Sequence, residues 1–152
     1  MEICKYITPD WISALASVVA ACGVFLAYGQ LKMSKNIAQL EFEDGLAKEY
    51  RELASNIPTK ALLGIELSEV EFQQSFDEFY RYIDLTNEQV SLRQRDRVKE
   101  ESWLNWLSGI KSNLERPSFK HAWSEIKEKS ISFQELRRLE AENFEIDPVS
   151  WN

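Results

Sequence analysis

Cysteine and histidine are scarce in this chain. The 152 residues hold two cysteines, Cys4 and Cys22, and one histidine, His121. Both cysteines lie near the start, so the remaining chain has no material for a disulfide framework or a thiolate zinc site. Glycines number five and are scattered, with no G-x-G-x-x-G, P-loop or G-x-S-x-G among them. His121 has Glu125 one helical turn on, but a third metal ligand at recognisable spacing is missing, and surface i,i+4 pairing is the expectation. The Glu-x-x-His pattern of helical di-metal sites is also absent. Acidic side chains are plentiful, as in "EFED" (Glu41 to Asp44), yet neighbouring carboxylates on a solvated helix need no catalytic explanation. The expectation is a non-enzymatic protein with no catalytic residues, cofactor or metal.

Basic charge is also in short supply: 18 Lys and Arg stand against 25 Asp and Glu, for a net charge of −7. Residues 36–152 alone carry a net charge of −8. Such a segment is repelled at long range by anionic lipid and by nucleic acid, so neither a polybasic lipid contact nor nucleic-acid binding is expected of it.

One stretch lacks charge of either sign. "WISALASVVAACGVFLAYGQL", Trp11 to Leu31, is 21 residues long. At about 1.5 Å per residue a helix of this length spans roughly 31 Å, the hydrocarbon thickness of a bilayer. A secretory signal would have a shorter apolar region and a basic start, whereas here Glu2 and Asp10 offset Lys5 and the amino terminus. A lipoprotein signal is the sharper rival, because "VAAC" (Val19 to Cys22) places small residues before a cysteine. Cleavage there would leave "GVFLAYGQL" as an apolar front end, which favours an uncleaved transmembrane helix over residues 11–31, preceded by a short tail, 1–10. Lys32 and Lys35 follow the span directly, with Lys48 and Arg51 farther on, while Lys5 alone precedes it. The positive-inside rule therefore places residues 32–152 in the cytoplasm. Ala16, Ala20, Gly23 and Ala27 recur at steps of four, three and four, a small-residue face suited to membrane helix association.

Beyond the span the pattern is helical throughout, so the fold class is mainly α: one transmembrane helix, then a bundle of about four to five helices over 32–143 and an irregular tail, 144–152. Phe42, Leu46, Tyr50, Leu53 and Ile57 mark a first helix that ends before Pro58 and can continue from the span without a break. "PTKALLG" reads as a turn closed by Gly64. Ser68 and Glu71 form a capping box, with Leu67 and Phe72 as a hydrophobic staple. The helix that follows carries Phe72, Phe76, Phe79, Ile83, Asn87 and Val90 on one stripe. Asn87 is the polar member, and its expected role is to hydrogen-bond a neighbouring helix and fix its register.

"RQRDRVK" gathers Arg93, Arg95, Arg97 and Lys99, a candidate contact for an anion or acidic partner. The electrostatic preference of cations for a helix C-terminus explains the same cluster equally well. Trp103, Trp106, Leu107, Ile110 and Leu114 line the next helix, although Lys99 is a poor cap for it. Pro117 suits the first turn of a helix that buries Phe119, Trp123 and Ile126. Ser132 and Glu135 offer a second capping box, for a last helix with Leu136 and Leu139. Aromatic stripes at helical spacing mark core, so Phe72, Phe76, Phe79, Ile83, Trp103, Trp106, Ile110 and Trp123 are the expected core.

The segment from Phe79 to Lys127, with Asn87-Glu88, Trp103 and Trp106, Arg116-Pro117 and Trp123, resembles a group of bacterial and phage-associated small proteins of unknown function that place a helical domain behind a single N-terminal span. The resemblance covers about a third of the chain and rests on packing and turn residues. It implies a bacterial setting, supports the layout and supplies no activity; with the span and its flanking charge, the expected location is the bacterial inner membrane. Two functions compete: a membrane-anchored adaptor that binds a protein partner or self-associates, and a small membrane-acting effector, such as a toxin or defence protein. Membrane lipid is the partner expected for residues 11–31.

Overall fold

A computed structural model describes residues 9–151. Helices dominate, with no strand among the described residues. They are α1 (Pro9–Asn56), α2 (Thr59–Leu62), α3 (Glu69–Gln94), α4 (Glu100–Leu114), α5 (Pro117–Lys129) and α6 (Gln134–Ala141), followed by a short 3-10 helix, Pro148–Trp151. Residues 1–8 of the expected tail lie outside the described residues, and Pro9 and Asp10 open α1. The chain divides into two compact units, Met1–Glu41 and Phe42–Asn152.

In the first unit α1 is long and apolar enough to cross a membrane. Its large side chains are exposed, Val24 at 71%, Phe25 at 78% and Leu31 at 70%, as they are on a helix with no protein around it. Ala16, Ala20, Gly23 and Ala27 are exposed as well, and so is Cys22, which forms no disulfide among the described residues.

In the second unit α3 is the central element. It carries buried residues on more than one stripe: Phe72, Phe79, Ile83 and Val90, together with Tyr82, Leu85, Thr86, Gln89 and Arg93. Against it pack Phe119, Ala122, Trp123 and Ile126 of α5, Leu136 and Leu139 of α6, and Trp103, Ile110 and Leu114 of α4. Edge-to-face ring contacts between Phe119 and both Phe79 and Tyr82, each at 5.0 Å, lock α5 onto α3. Of the expected core residues, Phe76 and Trp106 are only partly buried. Phe42, the expected first apolar contact of α1 with the bundle, is exposed, and that face begins at Glu43 and Leu46.

The helix boundaries show how each start is satisfied. Ser68 and Glu71 form the capping box at α3, and Lys60 donates to Glu71 Oε1 at 2.7 Å. These bonds hold the Glu71 carboxyl down at about 2, the lysine contributing most. "PTKALLG" contains one helical turn, α2, and Gly64 follows it at φ 77°, a left-handed conformation that costs glycine little. Pro117 occupies the first turn of α5.

The other two starts are capped from a distance. Lys99 provides no side-chain cap for α4. Glu43 of α1 does the work instead: its Oε1 accepts from the Lys99 backbone N–H at 2.8 Å, and its Oε2 accepts from the Ser102 hydroxyl at 2.6 Å. Glu43 is buried, so one carboxylate of "EFED" is a structural group and not a solvated one. At α6 the expected Ser132–Glu135 box does not form. The N-cap position falls on Phe133, which adopts a left-handed conformation at φ 65° and is buried edge-on against Tyr80 and Trp123. Burial of the ring shifts the helix start one residue on, and Asn87 of α3 supplies the cap: its Oδ1 accepts from the Leu136 N–H at 3.0 Å, while its Nδ2 donates to Glu135 at 3.1 Å. Asn87 thus joins α3 to α6.

Within the tail, residues 144–147 are irregular and Pro148–Trp151 form the 3-10 helix. Arg93 is buried and grips Asp147 with two bonds, Nε to Oδ1 at 2.9 Å and Nη2 to Oδ2 at 2.5 Å, and its Nη1 donates to the Val98 carbonyl at 2.7 Å. Pro148 is buried beside this clamp.

Glu43→Ala and Asn87→Ala should each lower the stability of the helical unit by about 1–2 kcal/mol, the usual cost of losing a helix cap or orphaning a buried donor. Hydrogen exchange should accelerate first at the Lys99 amide in the former and at the Leu136 amide in the latter. Unchanged protection at those amides would show that the remote caps contribute nothing.

Candidate functional site: a pocket between three helices

A cavity of about 280 Å³ opens where α1, α3 and α4 meet in the second unit. Helical spacing delivers its lining: Ala47, Tyr50 and Arg51 from α1, Tyr82 and Gln89 from α3, and Asn105, Trp106, Gly109 and Ile110 from α4. Two small residues explain why space remains. Ala47 projects only a methyl group, and a Cβ added at Gly109 would meet nothing within 4 Å. The aromatic rings at the adjacent positions therefore wall a space that they do not fill.

One polar corner is tightly arranged. The buried Asn113 side chain donates from Nδ2 to the Tyr82 hydroxyl at 2.7 Å and to the Tyr50 hydroxyl at 3.4 Å. The two tyrosine rings meet at 5.9 Å. Burial of Tyr82 pushes its phenol up to about 12, against the opposing bond from Asn113. Each phenol oxygen accepts from Asn113.

Gln89 lies at the same pocket and differs from Asn113. It is only 4% exposed, yet its amide has no hydrogen-bond partner among the described residues. Arg51 is the sole charged residue of the lining, is exposed, and has no ion pair among the described residues. The neighbouring surface cation Lys48 is paired with Glu52.

Residues expected to contact an anion are not gathered into one site. Arg93 is committed to Asp147 and Val98, Arg95 and Arg97 are exposed, and Lys99 is half-buried at the start of α4. The Arg93 guanidinium holds the Asp147 carboxyl below the usual carboxylate range, helped by the Val149 N–H and opposed by burial. His121 does not pair with Glu125. Its ring stacks on Phe72 at 4.2 Å, and Glu125 binds Lys129 at 2.5 Å. Among the described residues no group of three or more His, Cys, Asp or Glu side chains could hold a metal.

Sequence periodicity did not point to Gln89, Tyr82 or Asn113, because the apolar stripe through Phe72 and Phe79 dominates α3. The available signal was a second stripe, with Tyr82, Gln89 and Arg93 at i, i+7 and i+11. No protein-family model, curated protein or solved structure matches the chain.

Two pH effects follow from these environments. Asp147 has a depressed value, so its contribution is present above the ordinary carboxylate value of 3.8 and is lost as pH falls below it. The 3-10 helix should lose exchange protection in that acidic range before α3 and α5 do. Tyr82 has a raised value, so its contribution is intact below the ordinary tyrosine value of 10.0 and is lost as pH rises toward about 12. Absorbance at the tyrosinate band should show one late-titrating phenol coupled to alkaline unfolding. Tyr82→Phe should abolish that component and lower neutral stability by about 1 kcal/mol, because Asn113 loses its shorter bond.

Proposed function

We propose that the protein is a membrane-anchored, non-enzymatic adaptor of the bacterial inner membrane. Residues 11–31 cross the bilayer, the amino terminus lies outside, and the helical unit binds a protein partner in the cytoplasm. The observation that carries this reading lies in α1, which is long and apolar enough to cross a membrane. Its first part is an exposed apolar rod, and its last part, from Glu43 and Leu46 to Ile57, is built into the core of a folded unit. A helix with so much exposed apolar surface is poorly suited to water and well suited to hydrocarbon. Lys32 and Lys35 beside the span support the orientation.

A partner surface is supported by exposed apolar side chains clustered in sequence around the α2–α3 connection: Leu63 at 71%, Ile65 at 52% and Val70 at 66%. Exposed apolar groups gathered in one place favour association over solvation. The exposed face of Ala16, Ala20, Gly23 and Ala27 supports a second reading, in which spans assemble and the protein acts on the membrane itself.

Overexpression and capture distinguish the two. For the adaptor, the full-length chain resists carbonate extraction, retains an intact amino end by mass spectrometry, and captures one stoichiometric protein partner that Leu63→Asp and Val70→Asp release. Rapid loss of membrane potential that requires residues 11–31 and is unaffected by those two substitutions would favour the effector. Release by carbonate, or an amino end trimmed to an acylated Cys22, would overturn the anchor itself.

A further inference from the structure

The pocket between α1, α3 and α4 has a feature that an adaptor face does not need. Gln89 is buried at 4% exposure and lines an open cavity, and its amide lacks any partner among the described residues. What little of the side chain is accessible opens into the cavity, so the amide stands ready to pair with whatever occupies it. The amide carries a donor and an acceptor side by side, so its natural complement is an edge with an acceptor and a donor in the same arrangement. Around it stand Tyr50, Tyr82, Trp106 and Ile110, which favour a flat apolar ring. The sole charged lining residue is Arg51, and no carboxylate shares the pocket with it. The volume, about 280 Å³, lies near the lower end of the range for small-molecule sites.

We propose that this pocket binds a small planar heteroaromatic anion, a purine-type ring whose donor–acceptor edge meets Gln89 and whose anionic group meets Arg51. An adenine ring presents a donor beside an acceptor, the pattern that Gln recognises with two bonds, and Arg suits a phosphate or carboxylate. The negative charge of the domain as a whole does not prevent this, because at physiological salt exposed charges beyond about 8 Å are largely screened. The site is independent of the adaptor reading, since its lining excludes Leu63, Ile65 and Val70.

The test uses the full-length chain in lipid nanodiscs, titrated with adenosine 5′-monophosphate, adenosine and ribose 5-phosphate, with calorimetry and the Trp106 indole resonance as readouts. The monophosphate should bind in the micromolar to millimolar range, perturb Trp106, and bind more tightly than either fragment. Arg51→Ala should remove the advantage of the monophosphate over adenosine. Gly109→Leu fills open space and improves helix propensity, so it should keep the fold and weaken binding at least about tenfold. Gln89→Leu should weaken binding by about tenfold without lowering the melting midpoint of the free protein, because the amide makes no bond within the fold. A lower midpoint in Gln89→Leu would assign the amide a structural role and overturn the proposal. So would equal binding by ribose 5-phosphate, undiminished binding in Gly109→Leu, or no binding by the monophosphate.

Discussion

Every helix begins with backbone N–H groups that its own turns cannot satisfy, and in this bundle two of those beginnings are satisfied only by another helix. Glu43 of α1 holds the start of α4, and Asn87 of α3 holds the start of α6. Each bond links residues about fifty positions apart, so neither helix has a finished N-terminus until the chain has folded around it. Apolar burial gathers the helices, but it is nondirectional. The two polar contacts specify rotation and register, because a helix displaced by one turn would leave an amide buried without a partner. The Arg93–Asp147 clamp does the same for the 3-10 helix, where a short segment has little apolar area of its own.

Legibility in the sequence followed the range of the interaction. The α3 capping box was readable because Ser68 and Glu71 are three residues apart and bond each other. The ends of α1 at Pro58 and the start of α5 at Pro117 were readable because proline acts on its own backbone. Phe133 shows where local rules lose. Ser132 and Glu135 have the spacing of a cap, yet burial of the Phe133 ring against Trp123 and Tyr80 outweighs one surface hydrogen bond and moves the helix start. Asn87 stood out as a polar side chain in an apolar stripe, but its partner, the Leu136 amide, could not be named from spacing. Glu43 and Gln89 gave weaker signals, since a charged or amide residue on a helix is ordinarily solvated, and only packing reveals that these two are buried.

The ordering of the C-terminal residues has the same origin. The stretch "NFEIDPVSWN" carries no clear helical pattern of its own. Arg93 changes that by offering a planar, two-pronged cation at the end of α3 to which Asp147 binds at defined angles. A cluster that reads as four surface cations is therefore divided by structure: one is a buried strut, two are exposed, and one lies at a helix start.

The contrast between Asn113 and Gln89 is the most informative chemical difference within the bundle. Both are buried amides beside the same tyrosines, and only 4% of each is exposed. Asn113 is bonded to both phenols and so contributes to stability as well as to order. Gln89 has no such bonds and faces the gap that Ala47 and Gly109 leave between the aromatic walls. Packing by itself favours filling that gap, since helix propensity and contact area would both gain from a larger residue at 109. Space and an uncommitted amide occurring together leave a polar opening that a molecule from outside the chain can complete. Trp103 and Trp123 differ, since their indole N–H groups are enclosed and lack partners. An indole offers a single donor on a large apolar body, so burial of the ring offsets the loss.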